Sequence, residues 1–209
     1  MAKLNIAPTK SNLLNLKRQL AFAEEGYDLL EQKRQILVFE LMSRLARAGE
    51  AERAVAKALE DAFGSLREAT LDIGSEAVAS AALGVKPGHT VGLSDQHLMG
   101  MRIPHVTADI DTAGARFGVG GTSADTDVAM RRFVDLLKLI ANLAELENAV
   151  IRLARELRKT QRRCNALSKV FIPGYRETIA YITGSLEERE RESFIILKMI
   201  RDRLAARDA

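Results

Sequence analysis

Three histidines are the first candidates for chemistry in this sequence. His89, His97 and His105 follow one another at intervals of eight residues, and Asp95 and Asp109 lie close by in the chain. Imidazole and carboxylate groups are the usual ligands of zinc, so a metal site is one interpretation of this group. The spacing matches no known ligand motif, however, and we therefore favour solvated loop histidines, with no metal and no catalytic role.

A glycine-rich segment is the second candidate. Residues Gly118 to Ser123 precede a predicted helix, as a phosphate-binding loop does. The segment lacks the lysine that contacts the β- and γ-phosphates in such loops, and no buried apolar strand leads into it. We therefore interpret residues 116–125 as a flexible turn and predict no nucleotide or other cofactor.

The single cysteine is a candidate nucleophile. A catalytic thiol needs a neighbouring base and an accessible pocket, whereas Cys164 falls on the apolar stripe of a predicted helix. We expect it to be a small packed residue. One cysteine also excludes a disulfide framework and a multi-cysteine zinc site, and it is typical of a reducing compartment.

Basic side chains form the remaining candidate site. They are Arg152, Arg155, Arg158, Lys159, Arg162 and Arg163, with Glu156 as the only acidic residue among them. Such a run is either a solvated helix face or a contact for an acidic partner. It lacks the interleaved aromatic residues on which single-stranded nucleic acid stacks. Because the net charge is only +3, we predict no nucleic-acid partner.

Composition indicates long helices as the scaffold for these residues. Of the 209 residues, 47 % are hydrophobic, only 5 % are aromatic and only four are proline. Such a chain is neither disordered nor an all-β sandwich. It contains no run of about 18 apolar residues, so we expect no membrane insertion, and the opening MAKLNIAPTKSN has no apolar core of a signal peptide.

The first long helix is predicted from about Ser11 to Leu71. With Leu13 at heptad position a, fourteen of the seventeen a and d positions are apolar. A 3.5-residue repeat held over this length is typical of a coiled coil, and about 60 residues correspond to roughly 90 Å of helix. The second half of the seam is mostly alanine, so it is expected to bury less apolar area. Thr9 or Ser11 is the expected N-cap.

A second long helix is predicted from about Thr126 to Leu204. Its apolar residues recur at steps of three and four from Phe133 to Ile182, and the stripe resumes from Leu186 to Leu204. Because each long helix has an apolar stripe that water does not solvate, we expect the two helices to pair antiparallel as a coiled coil.

Pro173 lies inside this second helix, followed by Gly174. Proline has no N–H to bond the carbonyl of Lys169, and its ring crowds that carbonyl, so a bend is predicted near residue 170. The alternative is that the helix ends there. We favour the bend because the apolar pattern continues on both sides.

The middle of the chain differs in composition from both helices. A short helix is predicted from Ser75 to Leu83, followed by two short strands that form a hairpin. The predicted organisation is therefore all-α dominated, with an N-terminal helix (1–71), a central short helix and β-hairpin (72–124), and a C-terminal helix (125–209).

Two stretches of the sequence resemble one family. PTKSNLLNLKRQLAFAEEGYDLLEQKRQILVFEL spans residues 8–41, and RRCNALSKVFIPGYRETIAYITGSLEERERESFIILKMIRD spans residues 162–202. Together they resemble the D subunit of V-type and archaeal A-type rotary ATPases. The family opens with Pro-Thr and a helix carrying L-K-R and L-L-x-x-K-R, and its closing helix carries R-R-x-N-A-L, I-P and E-E-R-E-R-E. Ser168 and Gly174 depart from the family pattern.

The resemblance implies a non-catalytic component of the central-stalk rotor. Such a shaft transmits torque between ATP hydrolysis or synthesis in the catalytic hexamer and translocation of protons or sodium ions in the membrane ring. Its implied partners are the catalytic and regulatory subunits, the small F subunit of the rotor and the funnel-shaped subunit above the ring. The implied location is the cytoplasmic side, peripheral to the membrane.

The resemblance also gives the basic residues a role. We expect the stretch from Arg152 to Arg163, together with Lys10, Lys17 and Arg18, to face acidic surfaces of these partners. Three alternatives remain: a coiled-coil scaffold or tether for another protein, a nucleic-acid-binding helical hairpin, and an enzyme with a histidine-bound metal in its middle region.

Overall fold

The computed structural model describes residues 4–85, 88–98, 100–110, 117–118 and 120–205. Its elements are α1 (Lys10–Ile73), α2 (Ser75–Gly84), β1 (Thr90–Leu98), β2 (Met101–Asp109), α3 (Ala124–Ala166) and α4 (Ile172–Ala205), with a π-helical turn at Leu167–Phe171. The predicted fold class is confirmed, since two long helical stretches pack together and a short helix and an antiparallel hairpin lie between them in sequence. Arg116 and Val119, which belong to the expected flexible turn, lie outside the described residues, as do residues 111–115.

Contacts divide the chain into two compact units. The terminal unit comprises residues 1–36 and 157–209, and the central unit comprises residues 37–156. Both α1 and α3 contribute to each unit. The division at residues 71/72 and 124/125 that the sequence suggests stays a prediction, although it lies within two residues of the end of α1 and the start of α3.

Thr9 caps the start of α1. The N–H of Asn12 donates to Thr9 Oγ1 at 3.2 Å, and the N–H of Leu13 donates to the Thr9 carbonyl at 3.0 Å. These bonds satisfy donors that the first helical turn leaves without an intrahelical acceptor. Of the two expected capping residues, the structure selects Thr9.

The heptad seam of α1 is confirmed, because none of its seventeen a and d positions is exposed. Leu16 and Leu37 are fully covered in the leucine-rich half, and Ala62 and Ala69 in the alanine-rich half. The two arginines at these positions are half-buried and paired within their own helix. Arg44 Nε, for example, donates to Glu40 Oε1 at 2.6 Å.

The terminal unit pairs α1 antiparallel with α4. Lys10 lies 2.8 Å from Glu190, whereas Glu24, fourteen residues further along α1, lies 2.6 Å from Arg176. Between these ion pairs the seam buries Leu16 and Ile182 completely or almost completely. Partner numbers therefore fall along α4 as they rise along α1, which is the predicted orientation.

The central unit pairs α1 antiparallel with α3 in the same way. Phe63 and Phe133 meet edge to face with ring centroids 5.4 Å apart, and Arg132 Nη1 donates to the Asp61 carbonyl at 2.9 Å. Arg44, which precedes Asp61 and Phe63 in α1, lies close enough to Glu145, later in α3, to lower the pKa of its carboxyl. Leu153 is fully buried further along α3. This unit contains the alanine-rich part of the seam, in which Ala48, Ala62 and Ala69 are buried.

A π-helical turn occupies the segment where the sequence predicts a bend. The N–H of Ile172 bonds to the Leu167 carbonyl, five residues back, and α4 continues directly through Pro173. The extra residue in the turn accommodates the proline, which has no N–H to give. The alternative that the helix ends here is therefore wrong, while the bend itself stays a prediction.

The apolar stripe that the sequence shows from Leu186 to Leu204 stays uncovered after Leu186, although the long helices were expected to cover their stripes by pairing. Every described side chain from residue 187 onward is exposed. The reason is that α1 begins at Lys10, which lies opposite Glu190. The turns of α4 after Glu190 therefore extend past the start of α1 and have no part of α1 beside them. The apolar stripe exists, but no described residue covers it.

The short helix and the hairpin are confirmed. α2 spans Ser75–Gly84, after Gly74 takes a φ of +86°, a conformation that glycine adopts at little cost. β1 and β2 pair antiparallel from Thr90 opposite Asp109 to Leu98 opposite Met101.

The prediction of solvated loop histidines is wrong in part. His97 is exposed but lies on β1, and His105 is half-buried on β2. The strands explain the difference, since alternate side chains of β2 turn toward the helices of the central unit.

Candidate partner-binding surfaces

Lys10 is already engaged within the chain. Its hydrogen bond to Glu190, together with the opposite charge, raises the pKa of the Lys10 ammonium and lowers the pKa of the Glu190 carboxyl. Both side chains are well exposed, so the pair contributes little stability. Lys17 and Arg18, on the following turns of α1, are exposed, and their contact with partners stays a prediction.

In the basic run on α3, Arg152 bonds to the hairpin, and the other basic side chains are exposed. In the central unit, Arg152 Nη1 donates to the Arg102 carbonyl of β2 at 2.6 Å, so this side chain holds the hairpin. Arg155 is exposed in the same unit. In the terminal unit, the exposed members are Arg158, Lys159, Arg162 and Arg163. Contact of these residues with acidic partners stays a prediction.

Glu145 is a second anchor of the hairpin, and the sequence did not single it out as a site. Its Oε2 accepts a hydrogen bond from the N–H of Val106 at 3.0 Å and lies 2.9 Å from Nδ1 of His105. The contact with His105 is close but poorly aligned for a hydrogen bond, so we treat it as electrostatic. The available signal was a carboxylate beside Ala144 and Leu146 in the apolar stripe of α3.

The surroundings of Glu145 have two opposite effects on the pKa of its carboxyl. Burial raises the pKa of the carboxyl, but the hydrogen bond from Val106 and the nearby His105 and Arg44 outweigh burial and leave the pKa below its ordinary value. The ionised form is therefore the form that the folded chain prefers.

An apolar groove lies in the terminal unit beside the π-helical turn. Its volume is about 600 Å³, and its lining is formed by Gln19, Phe22, Ala23, Gly26, Leu29, Leu30, Leu167, Phe171 and Tyr175. Phe22 is 78 % exposed and Leu29 is 67 % exposed, which is unusual for such large apolar side chains. The groove is a surface on which another protein can pack.

The last described turns of α4 form a second apolar surface. The exposed large side chains are Phe194, Ile195, Ile196, Leu197, Met199, Ile200 and Leu204. Four of them are consecutive, so they cover most of the circumference of the helix. Lys198, Arg201 and Asp202 lie together on the remaining side of these turns. An exposed apolar surface of this size is normally covered by another protein.

Cys164 is packed, as the sequence predicts. It is 2 % exposed, and burial, with a smaller effect from Glu31, raises the pKa of its thiol. Within the described ranges, no three His, Cys, Asp or Glu side chains lie close enough together to hold a metal ion. None of the described helices is both long and apolar enough to cross a membrane.

Comparison with known proteins assigns the family. A family model for the D subunit of ATP synthase matches residues 12–202. This chain belongs to the ATP synthase D-subunit family. The match includes the short helix and the hairpin, so membership in the D-subunit family extends beyond the two stretches that carry the resemblance in the sequence.

Several relatives named as D subunits are similar over almost their whole length. The chain is 37 % identical to the V-type ATP synthase D subunit of Thermotoga neapolitana, covering 97 % of this chain and 100 % of the relative. It is 39 % identical to the A-type ATP synthase D subunit of Methanosphaera stadtmanae, covering 97 % and 96 %. It is 36 % identical to the A-type ATP synthase D subunit of Pyrococcus abyssi, covering 99 % and 98 %.

Proposed function

We propose that this member of the D-subunit family is the non-catalytic central rotor shaft of a V/A-type ATPase. In this role it transmits torque between the catalytic hexamer and an ion-translocating membrane ring. Its partners are the catalytic and regulatory subunits of the hexamer, the small F subunit of the rotor and the funnel-shaped subunit above the ring. The shaft lies on the cytoplasmic side and is peripheral to the membrane.

The observation that carries this proposal is the uncovered end of α4. Phe194 is 71 % exposed and Leu197 is 64 % exposed, on turns that follow the ion pair of Glu190 with Lys10 at the start of α1. An apolar patch of this kind marks a surface that another protein covers. A central opening of a hexamer encloses a helix and would cover the apolar side chains of this segment.

The paired helices suit a mechanical role. In each unit an apolar seam joins two antiparallel helices. Leu37, Leu153 and Ile182 are fully buried in these seams. Two packed helices resist twisting better than a single helix, because rotation of one against the other breaks the close packing of the seam. The exposed charges along them favour many shallow contacts over one tight contact.

Reconstitution tests the proposal. Mixed with the catalytic and regulatory subunits of its own ATPase, the chain is expected to join as a single copy per hexamer and, with the small F subunit, to change the rate of ATP hydrolysis. Stable binding that leaves ATP turnover and its coupling to ion transport unchanged would instead favour a scaffold or tether. Failure to join the hexamer would reject the shaft role.

A pair of variants tests the apolar end directly. Phe194→Ser with Leu197→Ser is expected to weaken binding to the hexamer at least tenfold, with no loss of thermal stability because both side chains are exposed. Leu83→Ser is the matched control, since Leu83 is 90 % exposed on α2, and it should bind the hexamer as the unaltered chain does. Equal binding by all three proteins would contradict the enclosure of α4.

A further inference from the structure

The two edges of the hairpin differ in their contacts, because the edge of β2 is bonded to α3 and the edge of β1 is exposed. The outer edge of β2 is held to α3 at two points, since Arg152 donates to the Arg102 carbonyl and Glu145 accepts from the Val106 N–H. Within the described ranges no strand other than β2 pairs with β1, and residues 90–97 of β1 are all exposed. β1 is therefore an open edge strand.

These contacts establish which backbone groups of β1 face outward. Arg102 and Val106 direct their backbone groups away from β1, so the even-numbered residues of β2 are the non-hydrogen-bonded positions. The register pairs Arg102, Pro104, Val106 and Ala108 with His97, Asp95, Leu93 and Val91. The N–H and C=O groups of these four β1 residues therefore point away from the sheet and lack a strand partner.

The two edges differ in what hinders the addition of a further strand. Pro104 lies at an outward position of β2, where its missing N–H costs no ladder bond and blocks a further strand. β1 has no proline and no lysine, and its one charged residue is Asp95, whose carboxylate disfavours an acidic or apolar neighbouring strand but not a basic one. β1 is also a long edge, because it stays extended over nine residues from Thr90 to Leu98.

The side chains on one face of β1 are Val91, Leu93, Asp95 and His97, two apolar residues followed by an acid and an imidazole. Val91 is 66 % exposed and Leu93 is 75 % exposed, and Asp95 follows them on the same face because alternate residues share a face. A strand laid along this edge places its side chains directly beside these three. Apolar residues at two alternate positions and a lysine or arginine at the next complement this pattern.

We propose that β1 is a docking edge for an extended strand of a different protein subunit, which adds to the hairpin as a third strand. Backbone hydrogen bonds to the outward groups of Val91, Leu93 and Asp95 supply binding, and the apolar-apolar-cationic pattern supplies selectivity. This contact is separate from torque transmission by the shaft. It makes the hairpin a receptor for one particular partner.

A second copy of this chain fits the edge less well in the registers that overlap all nine residues of β1. Pairing two β1 strands parallel and in register sets Asp95 beside Asp95, and like charges at directly opposed positions are destabilising. Pairing them antiparallel about Ser94 sets Asp95 beside Leu93, which places a carboxylate against an apolar side chain. A foreign strand with a basic residue avoids both arrangements.

Residue-resolved hydrogen exchange tests the proposal in the full chain, alone and assembled with the other soluble subunits of its ATPase. In the free chain, the outward amides of Leu93 and Asp95 should exchange fast while the inward amides of Ser94 and Gln96 are protected. In the complex, the outward amides should slow by about tenfold or more. Unchanged fast exchange of Leu93 and Asp95 in the complex overturns the proposal. Concentration-dependent protection in the free chain also overturns it, in favour of self-pairing.

Two substitutions at one position separate backbone from side chain. Leu93→Pro removes the outward N–H at a position equivalent to that of Pro104, which the hairpin already tolerates, whereas Leu93→Ala keeps the N–H and removes only the apolar side chain. Strand addition predicts that Leu93→Pro weakens binding to the other soluble subunits roughly tenfold more than Leu93→Ala. Equal binding by the two variants, with hairpin exchange intact, contradicts it.

Discussion

Glu145 Oε2 accepts a hydrogen bond from the backbone N–H of Val106 at 3.0 Å, and this bond fixes the hairpin to α3 within the central unit. The two residues are 39 positions apart in the sequence. The bond satisfies an edge N–H of β2 that no strand reaches, and Arg152 satisfies an edge carbonyl of the same strand. The placement of the hairpin therefore depends on two charged side chains of one helix.

The charge of Glu145 predicts a pH-dependent contribution to stability. Because its pKa is lowered in the folded chain, the stabilisation is present above the ordinary value near 4.5 and is lost as the pH falls through the folded value. Glu145→Gln should lower the free energy of unfolding by about 1 kcal/mol at pH 7. Urea unfolding at several pH values should show this difference shrinking below pH ~4.

The neighbouring Glu147→Gln is the control for this measurement. Glu147 is exposed on α3, so its substitution should change stability little at any pH. A constant difference between Glu145→Gln and the unaltered chain from pH 7 to pH 3 would contradict a role for the ionised carboxylate.

The seam predicts a large cost for removing a buried leucine. Leu37 is fully buried, and Leu37→Ala should destabilise the chain by about 2–4 kcal/mol because it leaves a cavity that the packed helices do not refill. Leu45→Ala, at a position that is 51 % exposed, should cost less than about 1 kcal/mol. Chemical denaturation of both variants checks the comparison, and similar losses would contradict the heptad assignment.

Burial predicts an unreactive thiol at Cys164. The side chain is 2 % exposed and the pKa of the thiol is raised, so little thiolate is available to a reagent. Alkylation by iodoacetamide should be on the order of a hundredfold slower in the folded chain than in urea. An exposed cysteine introduced as Ser43→Cys in a Cys164→Ala background should react rapidly in the folded chain, and equally rapid reaction of native Cys164 would contradict its burial.

Antiparallel pairing in the terminal unit predicts specific cross-links. With Cys164 replaced by alanine and a cysteine at position 16, a second cysteine is placed in turn at residues 180–184. Since Lys10 lies opposite Glu190 and Glu24 opposite Arg176, oxidation should form a disulfide at one or two of these positions. Gel mobility with and without reductant measures it, and cross-linking nowhere in this window would contradict the pairing.

The exposed basic residues of the terminal unit predict an electrostatic contribution to assembly. Arg158→Glu with Arg162→Glu should weaken binding to the ATPase hexamer, and the loss should decrease at high salt because the contacts are exposed. Thermal stability should change little. Unchanged assembly and unchanged ATP turnover would show that these residues form a solvated helix face.

Local patterns in the sequence were sufficient to predict the elements. The heptad positions from Leu13 onward are covered as expected, and Thr9 caps α1. The short helix and the hairpin also follow from composition. These features depend on residues a few positions apart, whose periodicity directly reflects helix and strand geometry.

Contacts between distant residues explain what the sequence did not predict. The apolar stripe beyond Leu186 has the same periodicity as the covered part of the seam. It is exposed because α1 begins opposite Glu190 and does not extend alongside the later turns of α4. Likewise Arg152 resembles its neighbours in the basic run, yet it alone among them bonds to the Arg102 carbonyl in the described structure.

The sequence by itself determined the long helices, their apolar seam and the family. Only the tertiary structure decided that β2 is fastened by Glu145 and Arg152 while β1 stays open. The physical reason is that periodicity specifies which face of an element is apolar. Which element covers that face, and which backbone edge keeps its unpaired groups, depends on how segments far apart in the chain meet.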